Sequence, residues 1–186
     1  HVFASKVSSV ESNVADLLSL FNRLETPLLN KNKLRILIFN WRDTRHVWAG
    51  GAEVYIHELA KRWVQEGNSV TVFCGRSGNV PKNEIIDGIH IHRRGGFYMV
   101  YVWAIFYYLF KFRGKYDVII DSENGVPFFT PLYAKEKVFL LIHHVHQEVF
   151  RKSLKPPFAW FAEFLELKIM PLVYRNTQVL TVSPSS

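Results

Sequence analysis

Residues 34–67, LRILIFNWRDTRHVWAGGAEVYIHELAKRWVQEG, contain the pattern that decides the fold. The apolar run at residues 34–40 is typical of a buried parallel strand. A polar loop follows this run and ends at Gly50 and Gly51. Apolar residues then recur at helical spacing until Gly67, which is a natural helix stop. The stretch therefore predicts a strand, a glycine turn and a helix, in that order.

The glycine turn is predicted to bind an anionic group. Gly50 and Gly51 carry no side chain, so backbone N–H groups there can approach a ligand closely. The helix that follows places the positive end of its dipole at this turn, which favours negative charge. A phosphate is the expected ligand.

The chain divides into two parts with different patterns. Residues 1–33 are predicted to form a helical extension and linker, because one apolar stripe alternates with polar residues. This stripe would pack on the domain or join two copies of the chain through residues 1–30. Over residues 34–186 strand and helix patterns alternate, which favours an α/β fold with a Rossmann-like, doubly wound parallel sheet. The later predicted strands are residues 69–74, a hairpin at 85–91, and residues 116–121, 138–142 and 178–182.

Composition limits the class of protein. The chain has 186 residues, of which 48% are hydrophobic, and this suits one well-buried domain. Its single cysteine, Cys74, excludes a disulfide framework and favours a reducing, cytoplasmic compartment. No signal-peptide pattern is visible, and the first residue is His1 rather than methionine. We therefore expect the chain to be a piece of a longer protein.

The net charge is +7, from 23 Lys and Arg against 16 Asp and Glu. Much of the excess lies at residues 76–115. Two interpretations stay open: a solvated basic surface without a partner, and a surface that meets anionic lipid or nucleotide phosphates. Nucleic acid is not an expected partner, because the aromatic residues gather in one apolar run instead of interleaving with basic ones.

That apolar run, residues 97–110, is rich in Phe, Tyr and Trp. It is shorter than the roughly 20 residues that a membrane-spanning helix needs. It predicts a core helix between the hairpin and the next strand. The alternative is a helix at the inner face of an anionic membrane, since Lys111, Arg113 and Lys115 follow it directly. Both predictions could hold for different faces of one helix.

Polar residues that follow the predicted strands are the candidates for binding and catalysis. Asn40, Asp121, His143 and Ser183 fall at strand ends, where a doubly wound sheet binds its ligands. His143 could donate to a hydroxyl or phosphate over this edge, with His144 beside it. Residues 121–125 could hold sugar hydroxyls through Asp121 and Asn124, or only cap the next helix.

The first loop offers a second set of candidates. Arg42 and Asp43 could bind an acceptor or sugar, or could pair with each other. No zinc-type spacing of His with Cys or carboxylates occurs, so no metal site is expected. The sequence also lacks the GxGxxG, Walker-type and Gly-x-Ser-x-Gly motifs. Their absence excludes the commonest classes of dehydrogenase, nucleoside triphosphatase and esterase.

The order of these motifs resembles the N-terminal half of a GT-B-type glycosyltransferase of the retaining family-4 kind. Four stretches carry the resemblance. They are RILIFNWRD at 35–43 leading to GGAEVYIHE at 50–58, DGIHIHR at 87–93, LLIH at 140–143, and LTVSPSS at 180–186. The resemblance covers roughly residues 34–186 and leaves the first thirty outside.

The resemblance implies a two-lobed enzyme of which this chain is the acceptor-side lobe. It implies that Gly50 and Gly51 lie against the phosphates of a nucleotide-sugar donor, and that His143 reaches the donor sugar. The acceptor would be a glycan or a lipid-linked molecule, as in polysaccharide biosynthesis, and no cofactor is expected. Family members carry a Glu-x7-Glu pair in the second lobe, whereas Glu58 and Glu66 have this spacing by chance on the first helix. The chain alone is therefore expected to be inactive, and a non-catalytic module that binds a nucleotide or glycan is the alternative.

Overall fold

The computed structural model of the protein describes residues 33–143 and 164–181. Within these ranges the strands are β1 Arg35–Phe39, β2 Ser69–Cys74, β3 Asn83–Ile86, β4 Ile89–Arg93, β5 Val118–Glu123, β6 Lys137–Ile142 and β7 Gln178–Thr181. The helices are α1 Gly51–Gln65, α2 Met99–Tyr107 and α3 Met170–Val173. Wider π-helical turns span Tyr108–Phe112 and Leu165–Ile169, and a short 3-10 turn spans Thr130–Leu132.

The strands form one seven-stranded sheet in the order β3-β4-β2-β1-β5-β6-β7. Every neighbouring pair is parallel except the β3–β4 hairpin. From β1 the chain moves towards one edge through β2 and β4, and from β5 it moves towards the other. This is the doubly wound arrangement that the sequence predicts, and its direction reverses between β1 and β5.

Helix α1 covers one face of the sheet. Ile56, Leu59, Ala60 and Trp63 are buried against strand residues that alternate along β1, β2 and β5. The helix ends at Gln65, and the predicted stop, Gly67, follows two residues later with a φ of +89°. There the Gly67 N–H donates to the Val64 carbonyl and the Asn68 N–H to the Trp63 carbonyl, both at 2.9 Å, which is a Schellman motif.

Helix α2 covers the opposite face. Val100, Ala104, Tyr107 and Tyr108 are buried there, in one apolar cluster with Leu37, Phe39, Phe73 and Ile119. The core helix predicted from residues 97–110 is therefore present, although it has only one buried side. In the described part of the chain no helix is long and apolar enough to cross a membrane.

The hairpin has the predicted turn. Asp87 and Gly88 both have positive φ, at 52° and 80°, and this is the geometry that an Asp-Gly hairpin turn requires. Cys74 is buried at the end of β2, as predicted, and burial raises the pKa of its thiol well above the usual value. The predicted extension and linker fall almost wholly in residues 1–32, which lie outside the described residues.

Candidate active site

The candidate site lies where the winding of the sheet reverses. Strands β1 and β5 are parallel neighbours, so their carboxyl ends meet at one edge of the sheet. Asn40 and Asn124 follow these two strands directly. In a doubly wound sheet this is the crevice in which ligands bind.

Glu53, in the first turn of α1, is the centre of this crevice. Its buried carboxylate accepts three hydrogen bonds: from Arg42 Nε at 3.1 Å, from Asn124 Nδ2 at 2.8 Å and from the Gly50 N–H at 2.6 Å. We call these four residues the Glu53 centre. One carboxylate thus binds three predicted site residues, which come from the first loop, the glycine turn and the segment after β5.

Glu53 is not among the residues that the sequence predicts for the site. The signal for its local contact is the spacing Gly50-x-x-Glu53, in which the third helical residue reaches back to the N–H that precedes the helix. The contacts with Arg42 and Asn124 have no such local signal.

One of the two glycines of the turn, Gly50, is part of the Glu53 centre, and the other, Gly51, is not. The N–H of Gly50 donates to Glu53 and does not face an empty crevice. Gly51, the first residue of α1, is exposed, and a Cβ built on it would meet no atom within 4 Å. The open approach to the helix N-terminus is therefore at Gly51.

His143 lies at the carboxyl end of β6, as predicted, and is buried. Its Nε2 is 3.0 Å from Ser122 Oγ, a hydrogen bond whose direction depends on the imidazole tautomer. Its ring meets the ring of Tyr55 edge-on, with the centroids 5.7 Å apart. Tyr55 belongs to α1, two residues after Glu53, so one helix connects the imidazole with the Glu53 centre.

Two buried polar atoms near this edge have no hydrogen-bond partner among the described residues. They are the Tyr55 hydroxyl and Asn40 Oδ1. Burial also raises the pKa of the Tyr55 hydroxyl, so it stays protonated and able to donate. Buried groups of this kind are usually paired, and a bound ligand would supply a partner.

Asp121 lies inside a strand and not at its end. Strand β5 continues through Glu123, so the predicted loop at residues 121–125 is wrong for its first three residues. The buried Asp121 carboxylate accepts hydrogen bonds from the Phe128 and Thr130 N–H groups and from the Tyr174 hydroxyl. Burial raises the pKa of Asp121, and these hydrogen bonds oppose that shift. Asp121 thus contacts the first residue of the helical turn at Thr130–Leu132, which agrees with the second interpretation of this segment, that it caps the next helix. A contact between Asp121 and a sugar stays a prediction.

Arg42 and Asp43 do not pair with each other, so that interpretation is wrong. Arg42 belongs to the Glu53 centre, whereas the buried Asp43 accepts from Arg93 Nε at 2.8 Å. Arg93 also donates through Nη1 to Glu84 Oε2 at 2.8 Å. Asp43 is thus tied to the hairpin and not to the crevice.

Two other candidates, His144 and Ser183, lie outside the described residues. Within residues 33–143 and 164–181 no group of three or more His, Cys, Asp or Glu side chains is placed to hold a metal ion. A site without metal stays a prediction.

The doubly wound sheet, with a glycine turn at the point of reversal, defines a Rossmann-like ligand-binding lobe. The family model described as Glycosyltransferase Family 4 matches residues 49–186, and the chain belongs to this family. Its fold is similar to that of sucrose-phosphate synthase from Thermosynechococcus elongatus, a GT-B glycosyltransferase, with a TM-score of 0.50 and 14% sequence identity. The match covers 81% of this chain and 47% of that one, so the chain spans about half the length of this relative. No curated protein matches the sequence.

Proposed function

We propose that the chain is the acceptor-side lobe of a retaining glycosyltransferase, which moves a sugar from a nucleotide-sugar donor to a glycan or lipid-linked acceptor. Family membership supports the reaction class. The observation that carries the assignment of the site is the Glu53 centre, which fixes the glycine turn, Arg42 and Asn124 at the point of reversal.

In this proposal the donor phosphates approach α1 at Gly51. Breaking the bond between sugar and phosphate leaves negative charge on the departing phosphate. Fixed N–H donors at a helix N-terminus stabilise such charge without having to reorganise. Glu53 holds the preceding Gly50 N–H and the Arg42 guanidinium in place beside this approach.

His143 is proposed to contact the donor sugar as this bond breaks. Its imidazole is fixed on one side by Ser122 and on another by Tyr55. An imidazole held in this way can donate or accept one hydrogen bond in a defined direction. The unpartnered Tyr55 hydroxyl and Asn40 amide oxygen would contact hydroxyl groups of a bound ligand.

The chain alone is proposed to be inactive, because the resemblance assigns the residues that grip the donor to a second lobe. Sugar transfer by isolated residues 1–186 would contradict this. Retention of configuration would be read from the anomeric form of the product.

The test is the release of nucleoside diphosphate by the full-length protein, with uridine, guanosine and adenosine diphosphate sugars as donors. We expect His143→Ala to lower turnover by about a hundredfold or more, which is the usual effect of losing one fixed donor to developing charge. His90→Ala is the matched control, because His90 is an exposed histidine on β4. Donor binding by the wild type without any release would contradict the transferase and favour the binding module.

A further inference from the structure

Helix α2 and the turn after it expose a continuous apolar surface, which we call the aromatic face. Five of its side chains are 40–51% exposed and Phe110 is 79% exposed. Phe106 and Phe110 stack on it with their ring planes 12° apart. The aromatic face consists of Val102, Trp103, Ile105, Phe106, Leu109 and Phe110.

Packing of the core does not account for these side chains. The buried side of the helix is already supplied by Val100, Ala104, Tyr107 and Tyr108. A surface helix normally carries polar residues on its outer side, but residues 97–110 contain none with a charge or an amide. An outer apolar side of this extent is typical of an interaction surface.

The charges next to the aromatic face along the chain are positive, although the Glu136 carboxylate contacts the turn that follows, where it accepts a hydrogen bond from the Gly114 N–H at 2.7 Å. Residues 88–116 contain no Asp or Glu, and Lys111, Arg113 and Lys115 follow the aromatic run. Lys115 lines a groove of about 270 Å³ together with Arg35, His90 and His92. The pKa of His92 is lowered first by burial and further by the positive charges of Arg94, His90 and Lys111.

We infer that the aromatic face docks on an anionic lipid bilayer. The helix and its turn, residues 99–112, are about 20 Å long, which is too short for the roughly 30 Å hydrocarbon core, so they lie in the interface. Trp and Phe side chains would enter the boundary between headgroups and acyl chains, and the basic end would meet anionic headgroups. A second copy of the chain is a poorer occupant, because pairing would bring two sets of these basic residues together.

Flotation with vesicles of phosphatidylcholine and phosphatidylglycerol tests the docking without any sugar donor, so its result is independent of the proposed reaction. We expect the full chain to bind these vesicles at low salt, to detach as salt rises, and to ignore phosphatidylcholine alone. Phe110→Glu should lower the partition coefficient by about tenfold or more. The double variant Lys111→Gln and Arg113→Gln should lower it by about thirtyfold.

Val54→Glu is the matched control, since Val54 is an apolar residue 54% exposed on α1, at the opposite face of the sheet. It should bind like the wild type. Three results would overturn the inference. The first is no vesicle binding at low salt, and the second is an equal loss of vesicle binding in Val54→Glu. The third is vesicle binding only after residues 1–32 are removed, which would mean that this segment covers the aromatic face. A dimer that Phe110→Glu dissociates, without vesicle binding, would assign it to a second copy.

Discussion

Arg42 and Asp43 are neighbours in the first loop, yet they belong to two ionic clusters with different surroundings. Arg42 joins the Glu53 centre at the crevice. Asp43 joins Arg93 and Glu84, a set we call the Arg93 centre, which ties the first loop to the hairpin. Arg93 is fully buried, and it also donates to the Pro81 carbonyl at 3.0 Å.

The two centres have different roles: the Arg93 centre stabilises the fold, whereas the Glu53 centre positions residues of the candidate site. In the Arg93 centre the guanidinium donates to acceptors of the same lobe, and these contacts hold the first loop against the hairpin. In the Glu53 centre the carboxylate is equally buried, but its partners Arg42 and Asn124 are only partly buried and border the crevice. A buried anion of this kind positions the groups that a ligand would meet.

The largest expected effect comes from breaking the Arg93 centre. Arg93→Met leaves Asp43 buried without its cation, and we expect a loss of about 3–5 kcal/mol in the free energy of unfolding. Urea unfolding, followed by circular dichroism, measures this loss. The control is Lys61→Met, because the side chains of the Lys61–Asp87 ion pair are 37% and 44% exposed and 3.8 Å apart, so the pair should contribute at most about 1 kcal/mol. Equal losses in the two variants would contradict the distinction.

An intermediate effect is expected from Glu53→Gln. The amide can still accept from the Gly50 N–H, but it loses the charge that holds Arg42, so we expect a loss of about 1–3 kcal/mol. Turnover should fall by more than the loss of folded protein explains, because Arg42 and Asn124 lose the carboxylate that both of them contact. Glu58→Gln is the control, because Glu58 is exposed on the same helix and should change the free energy of unfolding by less than about 0.5 kcal/mol. A turnover equal to that of the control would remove Glu53 from the site.

The sheet could be predicted from the sequence because buried parallel strands are apolar runs of strand length. All six predicted segments, one of them a hairpin of two strands, are present. The helix stop at Gly67 and the turn at Asp87 were predictable too, since each depends on local backbone conformation. For α2 the sequence allows both a core helix and a helix at a membrane surface, because hydrophobicity alone does not distinguish a buried face from an exposed one.

The clusters could not be predicted, because their partners are distant in the chain. Asn124 is 71 positions from Glu53, and Arg93 is 50 positions from Asp43. The sequence predicts Asp121 at the carboxyl end of a strand, where it would border the ligand crevice, whereas the strand continues through Glu123. In the structure the Asp121 carboxylate accepts a hydrogen bond from the hydroxyl of Tyr174, which is 53 positions away. Local spacing does not contain this information.

The smallest effect on stability is expected from Gly51→Ala. The added methyl group meets no atom within 4 Å, and Gly51 begins a helix, so the free energy of unfolding should stay within about 1 kcal/mol of the wild type. Turnover should nevertheless fall, because the methyl group would occupy the space in which the donor phosphate approaches the helix.

The placement of the donor phosphate at Gly51 is tested by kcat/KM for the full-length protein carrying Gly51→Ala, compared with the same protein carrying Gly96→Ala. Gly96 is a fair control, because the nearest atom to its added methyl group is 4.0 Å away. We predict that Gly51→Ala lowers kcat/KM by about a hundredfold while Gly96→Ala leaves it unchanged. Equal values for the two folded variants would contradict the placement of the donor phosphate at this turn.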